Sequence, residues 1–198
     1  MKFFLAFLSL VGIASAAVET APYEVINTGV EYEVRRYPQK KWVTTSMDAF
    51  TFEEVESPLF RTLFNYIDGG NEAGVVVPMT APVTTLIIPG EGPNCKQTFR
   101  MSFFVPEEFQ ESPPVPTNQA VYIEDRPEIE LYSRQFSGYA SENDFITEGY
   151  SLYQLLEADA VADAQYAPWY MVGYNSPYDF VNRRNEVWFL RTVAENKN

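Results

Sequence analysis

The 198 residues include 27 acidic against 14 basic side chains, a net charge of -13 at pH 7, and no histidine. That charge is repelled by nucleic acid and anionic lipid, and the missing imidazole excludes Ser-His-Asp and Cys-His relays and histidine-ligated zinc or haem. With 46% hydrophobic and 16% aromatic residues, the chain has the composition of one folded domain with a substantial core.

Met1 to Ala17 opens with Lys2, runs through Phe3-Phe4-Leu5-Ala6-Phe7-Leu8 to Ile13 and ends on Ala14-Ser15-Ala16. A short apolar run before a small-residue site is the pattern of a secretory signal peptide, cleaved here after residue 16 or 17, and is shorter than the roughly 20 residues of a spanning helix. The expectation is a secreted, extracellular protein with its domain over 18–198 and no membrane span after cleavage. Loss of Lys2 takes the net charge to about -14. Cys95 is the single cysteine, so an internal disulfide is unavailable and the core must stabilise the fold.

Tyr23-Glu24-Val25-Ile26 and Glu31-Tyr32-Glu33-Val34-Arg35-Arg36 alternate apolar and polar residues, the period of half-buried strands. A helix follows. Ser57 reads as its N-cap and Pro58 as its first residue, Leu59, Phe60, Leu63, Phe64 and Ile67 form one stripe, and Gly69-Gly70 supplies the left-handed residue that ends it. Strands are predicted over Val83 to Ile88 and Thr98 to Val105, where Phe99, Met101 and Phe103 alternate with Arg100, Ser102 and Phe104 to give one dry and one wet face. Gln110 to Pro116 carries three prolines, too many for a central strand, and reads as a linker.

Val121-Tyr122-Ile123-Glu124 and Glu128-Ile129-Glu130-Leu131-Tyr132 repeat the opening pattern. Ile26 matches Ile123, Tyr32 Ile129, Glu33 Glu130 and Val34 Leu131, all at an offset of 97 residues. A second helix has the stripe Phe145, Leu152, Tyr153 and Leu156, with Asn143 or Asp144 as cap and Asp159 near its end; Gly149 weakens it by about 1 kcal/mol relative to alanine. Trp169 to Tyr174 and Glu186 to Val193 read as strands. Two such units imply an internal duplication, pseudo-repeats at about 22–109 and 117–194, and an α+β fold in which a mostly antiparallel sheet bends toward a barrel with two helices outside it.

Three motifs stand in order along the chain: Gly69-Gly70-Asn71 at the end of the first helix, Pro78-Met79-Thr80-Ala81-Pro82-Val83, and Arg183-Arg184-Asn185-Glu186-Val187-Trp188. In this order and spacing the chain resembles the SOUL haem-binding family from about Tyr23 to Val193. The resemblance implies a distorted barrel of about eight strands flanked by two helices, built from a duplicated unit. It also implies a hydrophobic cleft for a tetrapyrrole, along the first helix and the loop before the last strand. Here those segments offer Phe60, Arg61, Leu63, Phe64 and Ile67, then Tyr174, Pro177, Tyr178 and Phe180. Flat aromatic walls suit a porphyrin disc and Arg61 suits a propionate. Family members that hold haem carry several basic residues on the helix and one on the loop; here the helix keeps only Arg61 and the loop carries Asp179.

The resulting expectation is a non-catalytic protein that binds a hydrophobic planar molecule, haem or metal-free porphyrin, without histidine ligation. Met79, Met101, Cys95 and the tyrosines are the other axial donors, Met79 serving better for packing within its turn, and binding without an iron ligand is preferred. The alternative is a protein-interaction module that kept the fold and lost the ligand. A third reading makes Glu186, set near Trp188, the acid or base of a small-molecule hydrolase with a raised pKa; its simpler role is an ion pair with Arg183 or Arg184. The acidic clusters Glu53-Glu54-Glu56 and Glu107-Glu108-Glu111 lack the spacing of a calcium loop and read as solvated surface.

Overall fold

A computed structural model describes residues 18–92, 94–175 and 182–192. The predicted signal segment and, within the binding loop, Pro177, Tyr178, Asp179 and Phe180 lie outside the described residues. In chain order the first half contains β1 (Glu19–Thr20), β2 (Glu24–Thr28), β3 (Glu33–Tyr37), β4 (Lys40–Ala49), α1 (Glu56–Ile67), β5 (Thr80–Ala81), β6 (Val83–Ile88) and β7 (Gln97–Phe104). A short 3-10 turn at Glu107–Phe109 leads to β8 (Tyr122–Arg126), β9 (Ile129–Phe136), α2 (Glu142–Ala158), β10 (Ala164–Gly173) and β11 (Asn185–Arg191). No described helix is long and apolar enough to cross a membrane.

Nine strands form one antiparallel sheet in the order β2-β3-β9-β11-β10-β6-β7-β4-β8, and β1 pairs with β5 in a separate short parallel ribbon. Apart from β2, the order is symmetric about the β10-β6 pair: β3 occupies the place of β8, β9 that of β4, and β11 that of β7. Glu33 and Tyr122, which start β3 and β8, stand 89 residues apart, as do Lys40 and Ile129, which start β4 and β9. The 97-residue offset read from the sequence therefore matches β2 and β3 to β8 and β9 one strand out of step. The cause is β4, a ten-residue strand that sequence periodicity does not mark. Trp42, Val43, Thr44 and Thr45 are buried in succession, so no alternation survives; Thr44 and Thr45 satisfy their hydroxyls on Ser102 Oγ at 2.9 Å and the Ala120 carbonyl at 2.8 Å.

The sheet is an open, strongly curled surface and not a closed barrel, since its outer strands β2 and β8 do not pair with each other. Its curl is measured by Arg126 on β8, whose guanidinium carbon lies 4.1 Å from the Trp42 ring centre and 5.6 Å from that of Tyr170 on β10, four strands away. Inside the curl pack Tyr37, Trp42, Leu86, Phe104, Leu131, Tyr170 and Trp188. The expected wet face of β7 is thus corrected: Ser102 and Phe104 point into this interior and are buried, and only the start of the strand, at Thr98 and Arg100, stays half-exposed on that face. Outside the curl, Phe99, Met101, Phe103, Val187 and Phe189 meet the buried stripes of the two helices.

α1 begins one residue before Ser57, with Val55 at the N-cap and no side-chain cap. The Ser57 hydroxyl instead accepts from Arg61 Nε at 3.0 Å and Nη2 at 2.7 Å. Leu59, Leu63, Tyr66 and Ile67 bury the stripe, and Gly69 at φ +95° turns the chain away. α2 is capped by Ser141 and not by Asn143 or Asp144; Ser141 and Asp144 form a reciprocal capping box. The linker around Pro113 is docked on the body, its Pro114 carbonyl accepting the Tyr66 hydroxyl at 2.8 Å.

Candidate functional site: a cleft between the helix starts

α1 and α2 both begin over the centre of the sheet, where β6, β7, β10 and β11 run side by side. The space left between the two helix starts is a cleft of about 400 Å³, within the usual range of small-molecule sites. Its floor is a cross-strand row in which Met171, Thr85 and Met101 are register neighbours, with Val83 and Gly173 paired beside them. Gly173 keeps the floor low: a Cβ built there would find no neighbour within 4 Å. Phe52, Glu56, Ser57 and Phe60 form the α1 wall, and Tyr139, Ala140 and Phe145 form the α2 wall.

The α2 wall is positioned by the last strand. Asn185 Nδ2 donates to the Gly138 carbonyl at 2.9 Å, and Gly138 at φ +102° turns the chain so that Tyr139 comes over the cleft. Arg183, two residues before Asn185, lines the same space with its guanidinium carbon 4.4 Å from the Tyr139 ring centre. Burial and the neighbouring Glu53 charge push the Glu56 carboxyl up. Burial and the neighbouring Glu53 carboxyl push Glu142, at the start of α2, up to about 7, while its carboxylate accepts the Phe52 N–H at 2.8 Å.

The residues predicted to bind a tetrapyrrole are divided by this geometry. Phe60 lines the cleft, in contact with Phe103 at 5.3 Å between ring centres. Leu63 and Ile67 are packed into the core between α1 and the sheet. Phe64 is 44% exposed and stacks on Phe60 from outside the cleft, while Arg61 is exposed and held on Ser57. Tyr174 is carried to the other face of the sheet, where its hydroxyl donates to Glu186 at 3.1 Å. Phe52, Tyr139, Phe145, Met171 and Arg183 are site residues that the sequence reading did not assign to it. They come from five separate segments, so no local pattern joins them.

Glu186 faces away from the cleft, fully buried inside the curl. It accepts from Arg35 Nη1 at 2.8 Å, Arg184 Nε at 2.8 Å, Trp188 Nε1 at 2.7 Å and Ser133 Oγ at 3.2 Å. Burial alone would raise its pKa, but Arg35 and Arg184 outweigh burial and hold the carboxyl below its ordinary value. This reverses the raised pKa expected of an acid or base and makes the group an interior ion triad, with Arg184 and the unforeseen Arg35 as partners. Among the described residues no cluster of three or more histidine, cysteine, aspartate or glutamate side chains could hold a metal ion.

A curled antiparallel sheet with two outer helices and a ligand-sized cleft between their first turns defines an α+β class of small folded proteins. Within it the chain belongs to the SOUL family: the model described as SOUL heme-binding protein matches residues 18–190. Heme-binding protein 2 of Homo sapiens is 37% identical over 183 residues, 90% of this chain and 88% of its own length. Heme-binding protein 1 of Mus musculus is 35% identical over 179 residues, 88% of this chain and 94% of its own. Among solved structures, the EcmrR C-terminal domain aligns with a TM-score of 0.60 at 12% identity, over 86% of this chain and 99% of that domain. A hydrolase from Listeria innocua aligns at 0.53 and 12% identity, over 89% of this chain and 94% of its own. These last two are likenesses of fold alone.

Proposed function

We propose that this protein is a secreted, non-catalytic tetrapyrrole-binding protein, with the cleft between the helix starts as its site. The observation that carries the reading is the open space beside Phe60, whose walls are aromatic and whose floor is lined by two thioethers. Phe52, Phe60, Phe145 and Tyr139 offer faces to a planar ring, and Arg183 offers a cation to one carboxylate. The relatives named heme-binding proteins, at 37% and 35% identity, support the same ligand class. The donor set fits a tetrapyrrole ring better than it demands an iron: Met101, Met171 and Tyr139 are the sulfur- or hydroxyl-bearing candidates on the lining, and the chain has no imidazole. The symmetric strand order supports a duplicated origin, and the pattern of Met1 to Ala17 supports secretion; N-terminal sequencing of the exported protein tests the latter.

Titration with haem and with metal-free protoporphyrin, followed by Soret absorbance and tryptophan quenching, should give saturable binding of both at micromolar ligand with similar affinity. Phe60→Asp should weaken both at least about tenfold by desolvating a charge in the cleft, whereas Phe64→Asp should change them little. Absence of saturation, or equal losses in the two variants, rejects the cleft as the site. A second reading, an interaction module for another protein, is supported by Ile146, Tyr150 and Tyr153 exposed on α2. It predicts that Tyr150→Ser and Tyr153→Ser abolish partner capture while leaving porphyrin binding intact.

A further inference from the structure

Glu56 opens α1 on the wall of the cleft, and Phe60 follows one turn later on the same wall. Among the described residues no cation pairs with it. Its charged neighbour is acidic: Glu53 lies beside it, and the two like charges disfavour each other. Arg183 stands on the opposite, α2 side, over Tyr139. The α1 half of the cleft therefore combines aromatic faces with unneutralised carboxylate. An anion brought there loses water and meets like charge, whereas a cation gains a counter-ion and the negative faces of the Phe52 and Phe60 rings.

We propose that Glu56 sets the charge class of the ligand: the cleft takes a planar aromatic molecule whose edge at α1 carries a protonated or quaternary nitrogen, and disfavours one that places a carboxylate there. This rests on the reading of the cleft as the ligand site and narrows it. A porphyrin dicarboxylate is then a weak occupant whose affinity is limited by one wall, and the same ring with its acids converted to cationic amides is a strong one. Glu56 is exposed on the cleft wall, and a cation seated against that wall supplies the counter-ion it lacks.

The test uses one macrocycle in two forms, deuteroporphyrin with its two carboxylates and its bis-amide bearing two quaternary ammonium groups, titrated into the full mature protein at about 0.15 M salt so that distant charges are screened. The cationic form should bind at least about tenfold tighter, and Glu56→Gln should reduce that ratio about tenfold, the effect of one charge at cleft distance. Glu108→Gln, which removes the same charge from an exposed turn outside the cleft, should leave the ratio unchanged. Tighter or equal binding of the dicarboxylate to the unaltered protein overturns the proposal. So does an unchanged ratio in Glu56→Gln, or an equal fall in Glu108→Gln, which would assign the preference to net charge. If neither ring binds at all, it is the cleft reading beneath the proposal that falls.

Discussion

Glu186→Gln probes the interior of the curl. The substitution keeps the side-chain volume and removes a carboxylate that two guanidiniums share, Arg35 at 2.8 Å and Arg184 at 2.8 Å. Removing one partner of a buried ion pair costs about 3–5 kcal/mol, because the charge left behind stays desolvated. Here the lower end applies. Arg35, 3% exposed, keeps Glu33 at 2.7 Å, and Arg184 is 30% exposed and can turn toward water. A loss of about 3 kcal/mol in a domain of this size lowers the melting temperature by about 6–12 °C. Far-UV circular dichroism during heating, with urea unfolding as a second measure, reads it directly. A shift under about 2 °C would refute the reasoning, since it would mean that attraction within the triad only balances the cost of burying it.

The pH dependence gives the same triad a second signature. Glu186 titrates below its ordinary value of 4.5 in the folded protein. Its contribution is present above that value and is lost as pH falls through the lower, folded one. The stability gap between the unaltered protein and Glu186→Gln should therefore be widest near neutrality and close in acid. Porphyrin binding by the folded variant should persist, because Glu186 lies on the sheet face opposite the cleft.

Leu63→Ala should cost about 2–5 kcal/mol in urea unfolding, the range for emptying a fully buried leucine site, without a specific effect on ligand affinity. Gly149→Ala should stabilise α2 by up to about 1 kcal/mol, because the new methyl meets Val187 Cγ1 at 3.6 Å, an ordinary contact, and gains helix propensity; a lower melting temperature would contradict this. Glu142, raised to about 7 from an ordinary 4.5, stabilises the fold in its protonated form, and that contribution is lost as pH rises through about 7. The urea midpoint of the unaltered protein should fall between about pH 5 and 8 by more than that of Glu142→Gln, and parallel profiles would refute the raised Glu142 carboxyl.

The helices and most strands were legible because each buries one side: the Leu59, Leu63, Ile67 stripe and the alternation of Phe99, Met101 and Phe103 survive in the sequence. β4 was not, because a strand packed on both faces with threonines satisfied by hydrogen bonds loses its period. The same curl that buries β4 on both sides also removes the wet face expected of β7. At the site, helical spacing put Phe60, Leu63 and Ile67 on one stripe. It could not tell that the stripe passes from the gap between helices at Phe60 to the sheet contact at Leu63. That division depends on where α2 begins, a tertiary fact with no local signature.

Arg183 to Trp188 marks the family in sequence, and period-two alternation explains why so short a run can serve two places at once. Arg184, Glu186 and Trp188 point inside the curl, where the carboxylate joins the guanidinium to the indole N–H at 2.7 Å. Arg183 and Asn185 point outside, one lining the cleft and the other holding the Gly138 carbonyl that brings Tyr139 over it. The interior triad fixes the register of β11 against β9, in which Glu186 faces Gln135 and Asn185 faces Phe136. A one-residue slip would exchange the two faces, turning the carboxylate into the cleft and the Asn185 anchor into the interior. The buried charges thus shape the ligand site without touching it: by making that slip costly, they hold Arg183 and Tyr139 on the side where a ligand can meet them.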